Sequence, residues 1–312
     1  MVETAKMIEQ EVVEQFEKLG GKAIDGFPVI DSQVFQTGTG VPYLKRPGVA
    51  LIAKPAVNLS GMQLFLDGFD PRLGFKEYLT DPVSLPPAEY LAKVAGQVCY
   101  ASYGSGRTKN KDADIYLKNI IESGHGSVLE HPNFSFLVWG ISRSVSHEWV
   151  RHRAGKAYSQ LSQRYVSGAV LRFVERPEYQ NHPRLHLRFE KRIEAAALEY
   201  KEVADELLAA QKKGDQILSG ERKTDLRKKV QQAARSVLPN ETETVMAVTG
   251  NVRAWRHVIN MRASEHAEVE IRQAAFEVFL CLALAAPILF SDFEVVELPD
   301  GTKSVKTNYP KV

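Results

Sequence analysis

Arg151, His152, Arg153, Lys156 and Arg164 fall within one stretch, WVRHRAGKAYSQLSQRYV (residues 149–166), among small, hydroxyl and amide side chains. Basic groups gathered this closely call for an anionic partner: nucleic acid, a metal-assisted substrate, or the phosphates of a small molecule. On a continuous helix, adjacent side chains point about 100° apart, so Arg151, His152 and Arg153 cannot converge there. At a helix end before the exit AGK they can fan around an elongated anion, the guanidinium forks on phosphate oxygens and the imidazole stacking or donating. An RHR triplet alone is equally compatible with a solvated basic surface. The next residues, YSQLSQRY, add Tyr158, Ser159, Gln160, Ser162 and Gln163, whose hydroxyls and amides both donate and accept, as a base edge and a sugar require. Arg164 is then placed to hold a phosphate.

Metal chemistry is disfavoured by spacing. His152 follows His147 by one residue more than the HExxH pattern demands, which turns the second ligand away from the first. His125, Glu130 and His131 in GHGSVLEH also lack a zinc spacing and read more simply as hydrogen-bonding or capping groups. A second polar cluster lies in GNVRAWRHVINMRASEHAEVEIR, residues 250–272, where Asn251, Arg253, His257 and Arg262 interrupt an apolar helix pattern. Arg262, close to a break in that helix, needs an anionic partner if buried, and Glu265, Glu268 and Glu270 are the nearest in sequence. Arg235 precedes Pro239 at a helix end in AARSVLP, a position that says little by itself.

These residues need elements to position them. NFSFLVWGIS, residues 133–142, carries Phe134, Phe136 and Val138 at alternate positions and reads as a strand, followed by a helix SRSVSHEWVRHR with Ser142 as N-cap. VALIAKPAV is a further strand. Helices are expected over 87–123 with an internal polar loop and a cap at Gly124, over 183–212, over ERKTDLRKKVQQAARSVL up to Pro239, and from about 254 to 286 with a break around 263–265. The N-terminal MVETAKMIEQEVVEQFEKLG reads as a short amphipathic helix with no export signal, and residues 21 to about 48 as an irregular arm. The expected class is α+β: a helix-rich single catalytic domain over 49–312 with a small, mostly antiparallel sheet, preceded by an extension over 1–48. If that extension is peripheral, deleting residues 1–45 leaves the chemistry intact.

Across all 312 residues, 40 basic against 38 acidic side chains give a net charge of +2, which argues against a general nucleic-acid coat. Cys99 and Cys281 are isolated thiols, as in a reducing compartment. The apolar run AAFEVFLCLALAAPILF contains Glu277 and Pro287 and suits a buried helix better than a membrane span. A cytoplasmic protein is expected.

Taken in order, SGHGSVLEH, GISRSVSHEWVRHR, YSQLSQRYV, ARSVLPNETET and GNVRAWRHVINMRASEHAEVEIR closely resemble the flavin-dependent thymidylate synthase family, especially its actinobacterial-type members. The resemblance runs from about Val49 onward. It implies reductive methylation of dUMP to dTMP, with methylenetetrahydrofolate supplying the carbon, FAD carrying electrons and NADPH reducing the flavin. It also implies a homotetramer with shared active sites, and no nucleic-acid or membrane partner. By position, Arg151, His152 and Arg153 match the family's FAD-binding triplet, and Ser127 another FAD position with His125 and Glu130 beside it. Asn251, Arg253 and His257 match further flavin contacts. Glu148 and Arg151 lie on the dUMP-binding helix segment. Gln160, Leu161, Ser162, Gln163 and Arg164 match the dUMP loop, with Gln160 also near the flavin. Arg235 matches a phosphate- or base-binding arginine, and Arg262 the arginine that polarises the uracil ring. No activating His and Asp accompany Ser162, so it reads as a hydrogen-bonder and not a nucleophile.

The segment AGKAYSQL between RHR and Ser162 is one residue longer than in the family signature. A loop absorbs such an insertion where a helix cannot, and Gly155 is the expected place. Flavin contacts of residues 154–158 are the ones this touches. A related flavin enzyme acting on a modified pyrimidine nucleotide, a basic nucleic-acid-binding protein built on RHRAGK and ERKTDLRKK, and a zinc hydrolase are the alternative readings.

Overall fold

A computed structural model describes residues 2–80, 85–104, 112–166, 170–212 and 223–312. The chain opens with α1 (Val2–Lys18), then β1 (Lys22–Ile24), β2 (Phe27–Ile30), β3 (Val34–Gln36), β4 (Pro42–Leu44) and β5 (Gly48–Ala53). Short α2 (Gln63–Asp67) precedes α3 (Pro87–Cys99) and α4 (Ala113–Glu122), whose chain leaves through Gly124 at φ +70°. The site-bearing half follows: β6 (Asn133–Ser142), α5 (Arg143–Trp149), β7 (Lys156–Gln160), β8 (Phe173–Val174), α6 (Pro177–Gln180), α7 (Pro183–Lys212), α8 (Lys223–Ala234), β9 (Glu243–Asn251), α9 (Val252–Arg262) and α10 (Val269–Ala285). The hairpin β10 (Glu294–Glu297) and β11 (Lys303–Lys306) ends the described elements. The α+β class holds, and no helix of the described residues is long and apolar enough to cross a membrane.

The main sheet has the order β1-β2-β5-β6-β9-β7, antiparallel throughout. Its buried face comes from period-two patterning: Phe134, Phe136 and Val138 on β6 meet Met246 and Val248 on β9 in one core. Helix α10 packs across β2, β5 and β6 and is apolar nearly all round, as a helix enclosed by α1, α9 and the sheet must be. Near its end β6 bulges at Gly140, φ +62°, where a Cβ would lie 2.6 Å from the Arg46 carbonyl oxygen. The bulge aims the following Ser142 into α10. Ser142 caps α5, accepting from the Val145 N–H, while its own N–H and hydroxyl donate to the Glu270 carboxylate at 2.7 and 2.9 Å.

Residues 21–48 correct the expectation of an irregular arm. They form β1 to β4, and β2 pairs with β5 through Val29↔Ala50 and Ile30↔Val49. Val12, Phe16 and Ile30 are buried in the main core. These strands are three or four residues long and set among Pro and Gly residues, so their pattern does not stand out in sequence. The structure therefore reverses the truncation expectation. Deleting residues 1–45 removes Val12, Phe16, Ile30, Tyr43 and Leu44, buried apolar side chains worth about 1.5–3 kcal/mol each, and uncovers the edge of β5. Soluble yield and melting temperature should both fall sharply. A truncated protein that melts within a degree or two of the full chain would contradict this.

Candidate active site

Helix α5 stops at Trp149, so Arg151, His152 and Arg153 lie beyond its end, in the chain leading to β7. The triplet is therefore free to fan, as the helix-end reading required. The chain turns at Gly155, φ +65°, with the Lys156 N–H donating to the Arg153 carbonyl at 3.3 Å. No larger residue fits: a Cβ at Gly155 would stand 2.7 Å from the Asn251 side-chain nitrogen. Residues after the turn form β7, the edge strand, in register with β9 from Lys156↔Gly250 to Gln160↔Met246. The Tyr158 hydroxyl donates toward the carbonyls of Trp149 (3.1 Å) and His152 (2.7 Å), tying the end of α5 to that strand. Burial pushes this phenol up to about 12, so it remains a donor at any working pH.

Two sequence blocks, more than a hundred residues apart, meet at Arg262. From the last turn of α9 its Nη1 donates to Glu148 Oε2 at 2.6 Å and its Nε to His152 Nε2 at 2.9 Å. His152 in turn meets His257 edge to face, with ring centroids 5.5 Å apart. The partners nearest in sequence are engaged elsewhere: Glu268 caps α10 and pairs with Arg176, and Glu270 holds Ser142. Because a guanidinium N–H points at Nε2, that nitrogen accepts, and the imidazole is neutral with its proton on Nδ1. Burial, then the neighbouring Arg262, His257 and Lys156, bring His152 down to about 4. The unfolded chain binds a proton here near the ordinary value of 6.5, the folded chain only near 4, so this group destabilises the fold as pH falls through that interval. The melting temperature of the protein should drop between pH 6.5 and 4 by more than that of a His152→Gln variant. Parallel curves for the two proteins would contradict the neutral assignment.

A cleft of about 700 Å³ opens beside this triad, lined by Glu130, Ala154, Gly155, Asn251, Arg253, Ala254 and His257 together with Pro310, Lys311 and Val312. Asn251 caps α9, its side-chain oxygen accepting from the Ala254 N–H at 2.8 Å. Arg253 is exposed and donates to Glu130 at 2.6 Å. Glu130 ends a 3₁₀ turn, Gly126–Glu130, that packs on α9, with His125 at its start and Ser127 exposed on it. His125 makes no side-chain cap there. Arg151 and Arg153 are exposed and do not line the cleft, although Arg153 adjoins Ala154, which does.

The remaining expected residues form a neighbouring group. Gln160 points inward, its amide donating to Ser146 Oγ (2.9 Å) and Thr244 Oγ1 (3.0 Å). The Leu161 N–H donates to the Val245 carbonyl at 2.8 Å, extending the sheet by one residue. Ser162 accepts from the Arg164 N–H at 3.3 Å, and Gln163 is half-buried in the same turn. The Arg164 guanidinium donates to the side-chain oxygen of Gln232 on α8 at 2.8 and 3.3 Å. Arg235 lies exposed just after α8, close enough to Arg143 that burial and the Arg235 charge together lower the Arg143 guanidinium.

Arg143 escaped the sequence reading, and Lys156 stands there among the basic groups without any sign of its burial. Arg143 begins α5, where a cation is not favoured by the helix dipole, and that oddity was the available signal. Lys156 is half-buried but its amine is enclosed, 3.0 Å from the Trp255 ring centroid and without a hydrogen-bond partner among the described residues. Burial lowers it well below its ordinary value. Nothing in its sequence position marked it as buried.

Residues 83–288 match a family profile described as thymidylate synthase complementing protein. The flavin-dependent thymidylate synthase of Mycobacterium tuberculosis (strain CDC 1551) is 48% identical over 213 residues, 68% of this chain and 82% of that one. The enzyme of the same description from Mycolicibacterium gilvum (strain PYR-GCK) is 46% identical over the same length and shares. Among solved structures, a UMP/dUMP methylase, PolB, from Streptomyces cacaoi bound with 5-Br dUMP aligns at TM-score 0.53 and 18% identity, covering 79% of this chain and 93% of that one. At that identity the likeness speaks to the fold.

Proposed function

The chain belongs to the flavin-dependent thymidylate synthase family, and on that premise we propose that it methylates dUMP reductively to dTMP, using FAD, NADPH and methylenetetrahydrofolate. The observation that carries this is the convergence of Glu148, His152, His257 and Arg262, drawn from separate blocks, at the side of a cleft lined by Asn251 and Arg253. The cleft fits a flavin dinucleotide in three respects. Its volume lies within the roughly 300–1,000 Å³ usual for cofactor sites. Arg253 and His257 offer donors to phosphate, and the Gly155 turn lets backbone approach closely where a Cβ would collide. Arg151, His152, Arg153, Ser127, Asn251, Arg253 and His257 would hold the flavin, with His125, Glu130 and Gln160 alongside. When bound, the flavin supplies two-electron hydride chemistry that no side chain offers.

The chain's own part is binding and charge. Reduction of the uracil ring drives negative charge toward its carbonyls and N3. Arg262, oriented by Glu148 and His152, has N–H groups left over to meet that charge, and because it is already oriented it stabilises the transition state more than the ground state. Neutral His152 accepts from Arg262 and so holds it in place, whereas an imidazolium would lack the acceptor lone pair and repel the guanidinium. Gln160, Leu161, Ser162, Gln163 and Arg164 would frame the nucleotide. Arg235 with Arg143 holds two like charges near one another, an arrangement that favours a phosphate between them. Residues 49–312 carry these groups. Assembly as a homotetramer with shared sites, in the cytoplasm, completes the reading.

The visible absorption spectrum of purified protein loaded with FAD, before and after adding dUMP, tests it. A flavin band that shifts on adding dUMP supports one site holding both. Failure to retain FAD, or a flavin band indifferent to saturating dUMP, would overturn it.

A further inference from the structure

Residues 310–312 lie beyond the family match, which ends at 288, yet they form one wall of the cleft. What brings them there is Arg256. This arginine is 1% exposed and sits on α9 next to His257, with its Nη1 and Nη2 on Asp292 (2.6 and 2.8 Å) and Nη1 also on the Leu289 carbonyl at 2.7 Å. Its Nε donates to the main-chain oxygen of Val312 at 2.9 Å. A buried guanidinium needs every one of these acceptors, so the anchor is costly to break. The segment leaving β11 is tied down by the same acid: Thr307 bonds Asp292, and the Tyr309 N–H donates to the Thr307 hydroxyl at 2.9 Å. The Val312 side chain enters the main core, 5% exposed, and its N–H donates to the Tyr309 carbonyl at 3.3 Å. With both sides of it fixed, Lys311 lies exposed on the cleft wall that faces the helix carrying Arg253 and His257.

The geometry points to residues 309–312 as a strap that completes the dinucleotide site, with Lys311 a phosphate-binding residue for the cofactor. This rests on the flavin reading of the cleft. The carboxylate already in that cleft, Glu130, is paired with Arg253, so one cation is partly spent before a ligand arrives. Arg253 and Lys311 are the two Lys or Arg side chains that line the cleft, and among the described residues no carboxylate pairs with Lys311, so an anionic dinucleotide entering there meets its ammonium unspent. Lys311 is exposed, so its contribution is screened and modest, and reversal of its charge is the more sensitive change.

The test is FAD affinity, read by quenching of flavin fluorescence on titrating the full-length apo-protein, for wild type, Lys311→Ala, Lys311→Glu and Lys306→Glu. Lys306 on β11 is exposed, does not line the cleft and serves as the charge control. Lys311→Ala should weaken FAD about two- to fivefold and Lys311→Glu roughly tenfold, in line with one screened charge contact. The loss should shrink as salt is raised. Riboflavin, which carries no phosphate, should bind all four proteins alike. Lys311→Glu binding FAD as wild type does, or losing riboflavin in equal measure, would overturn the assignment while leaving the flavin site standing. Wild type that binds no FAD overturns the flavin reading, and this assignment with it.

Discussion

Replacing Arg262 with alanine is expected to leave FAD bound and to cut dTMP formation by roughly 10²–10³-fold, the loss usual for one preorganised charge-stabilising donor. The side chain is held by Glu148 at 2.6 Å and His152 at 2.9 Å. Both bonds orient it, and neither uses the whole guanidinium. The pair with Glu148 is partly open to water, with side-chain exposures of 23% and 40%, so its worth to the fold is about 1 kcal/mol or less. A large fall in turnover with little change in melting temperature is therefore the signature of a residue acting on the nucleotide. Arg262→Lys should recover part of the affinity for dUMP and little of the rate, because an ammonium keeps the charge but loses the fork. Flavin content and single-turnover rate, measured on the same preparation, check this. Turnover within a few-fold of wild type would remove Arg262 from the chemistry.

His152→Ala should weaken FAD retention by about tenfold or more and lower turnover as well. It removes both the ring packed on cleft-lining His257 and a part-buried hydrogen bond to the Arg262 guanidinium, a class of bond worth about 1.5–3 kcal/mol. The ring joins two blocks: it accepts from Arg262 and packs edge to face on His257, which lines the cleft. Alanine leaves the Arg262 Nε–H unpartnered and His257 without its neighbour. His152→Gln offers an acceptor at comparable reach and should restore turnover more than it restores FAD affinity, which separates the two roles. Equal FAD affinity in wild type and His152→Ala, by titration of the apo-protein, would count against the assigned contact.

How far the sequence foretold this arrangement depended on range. Local signals were sound. Alternating Phe134, Phe136 and Val138 gave β6, Ser142 gave the cap of α5, and the helix break near 263 is the gap between α9 and α10. Strand β9 was missed because its alternation is disguised: Glu243 and Thr244 are polar yet buried, the glutamate held by Arg172 with one bond at 2.7 Å. Without β9 the edge strand β7 has no partner to mark it as a strand. Pairing across long separations was legible only in part. Resemblance to a family gathered Arg151, His152, Asn251, Arg253, His257 and Arg262 into one expected site, but not how they touch. That Arg262 reaches back to Glu148, 114 positions earlier, and not to Glu265, Glu268 or Glu270, follows from α5 and α9 meeting through the sheet. No periodicity encodes that. The reading of 21–48 as irregular failed for a related reason, since strands of three or four residues earn their stability from neighbours they meet only in the fold.

The central claim is the reaction itself, and its most direct test is nucleotide analysis after incubating the FAD-loaded protein with dUMP, methylenetetrahydrofolate and NADPH. The account predicts that dTMP accumulates with all components present and fails to form when NADPH or the folate is withheld. Protein that retains FAD, binds dUMP and returns it unmethylated with every component supplied would contradict it.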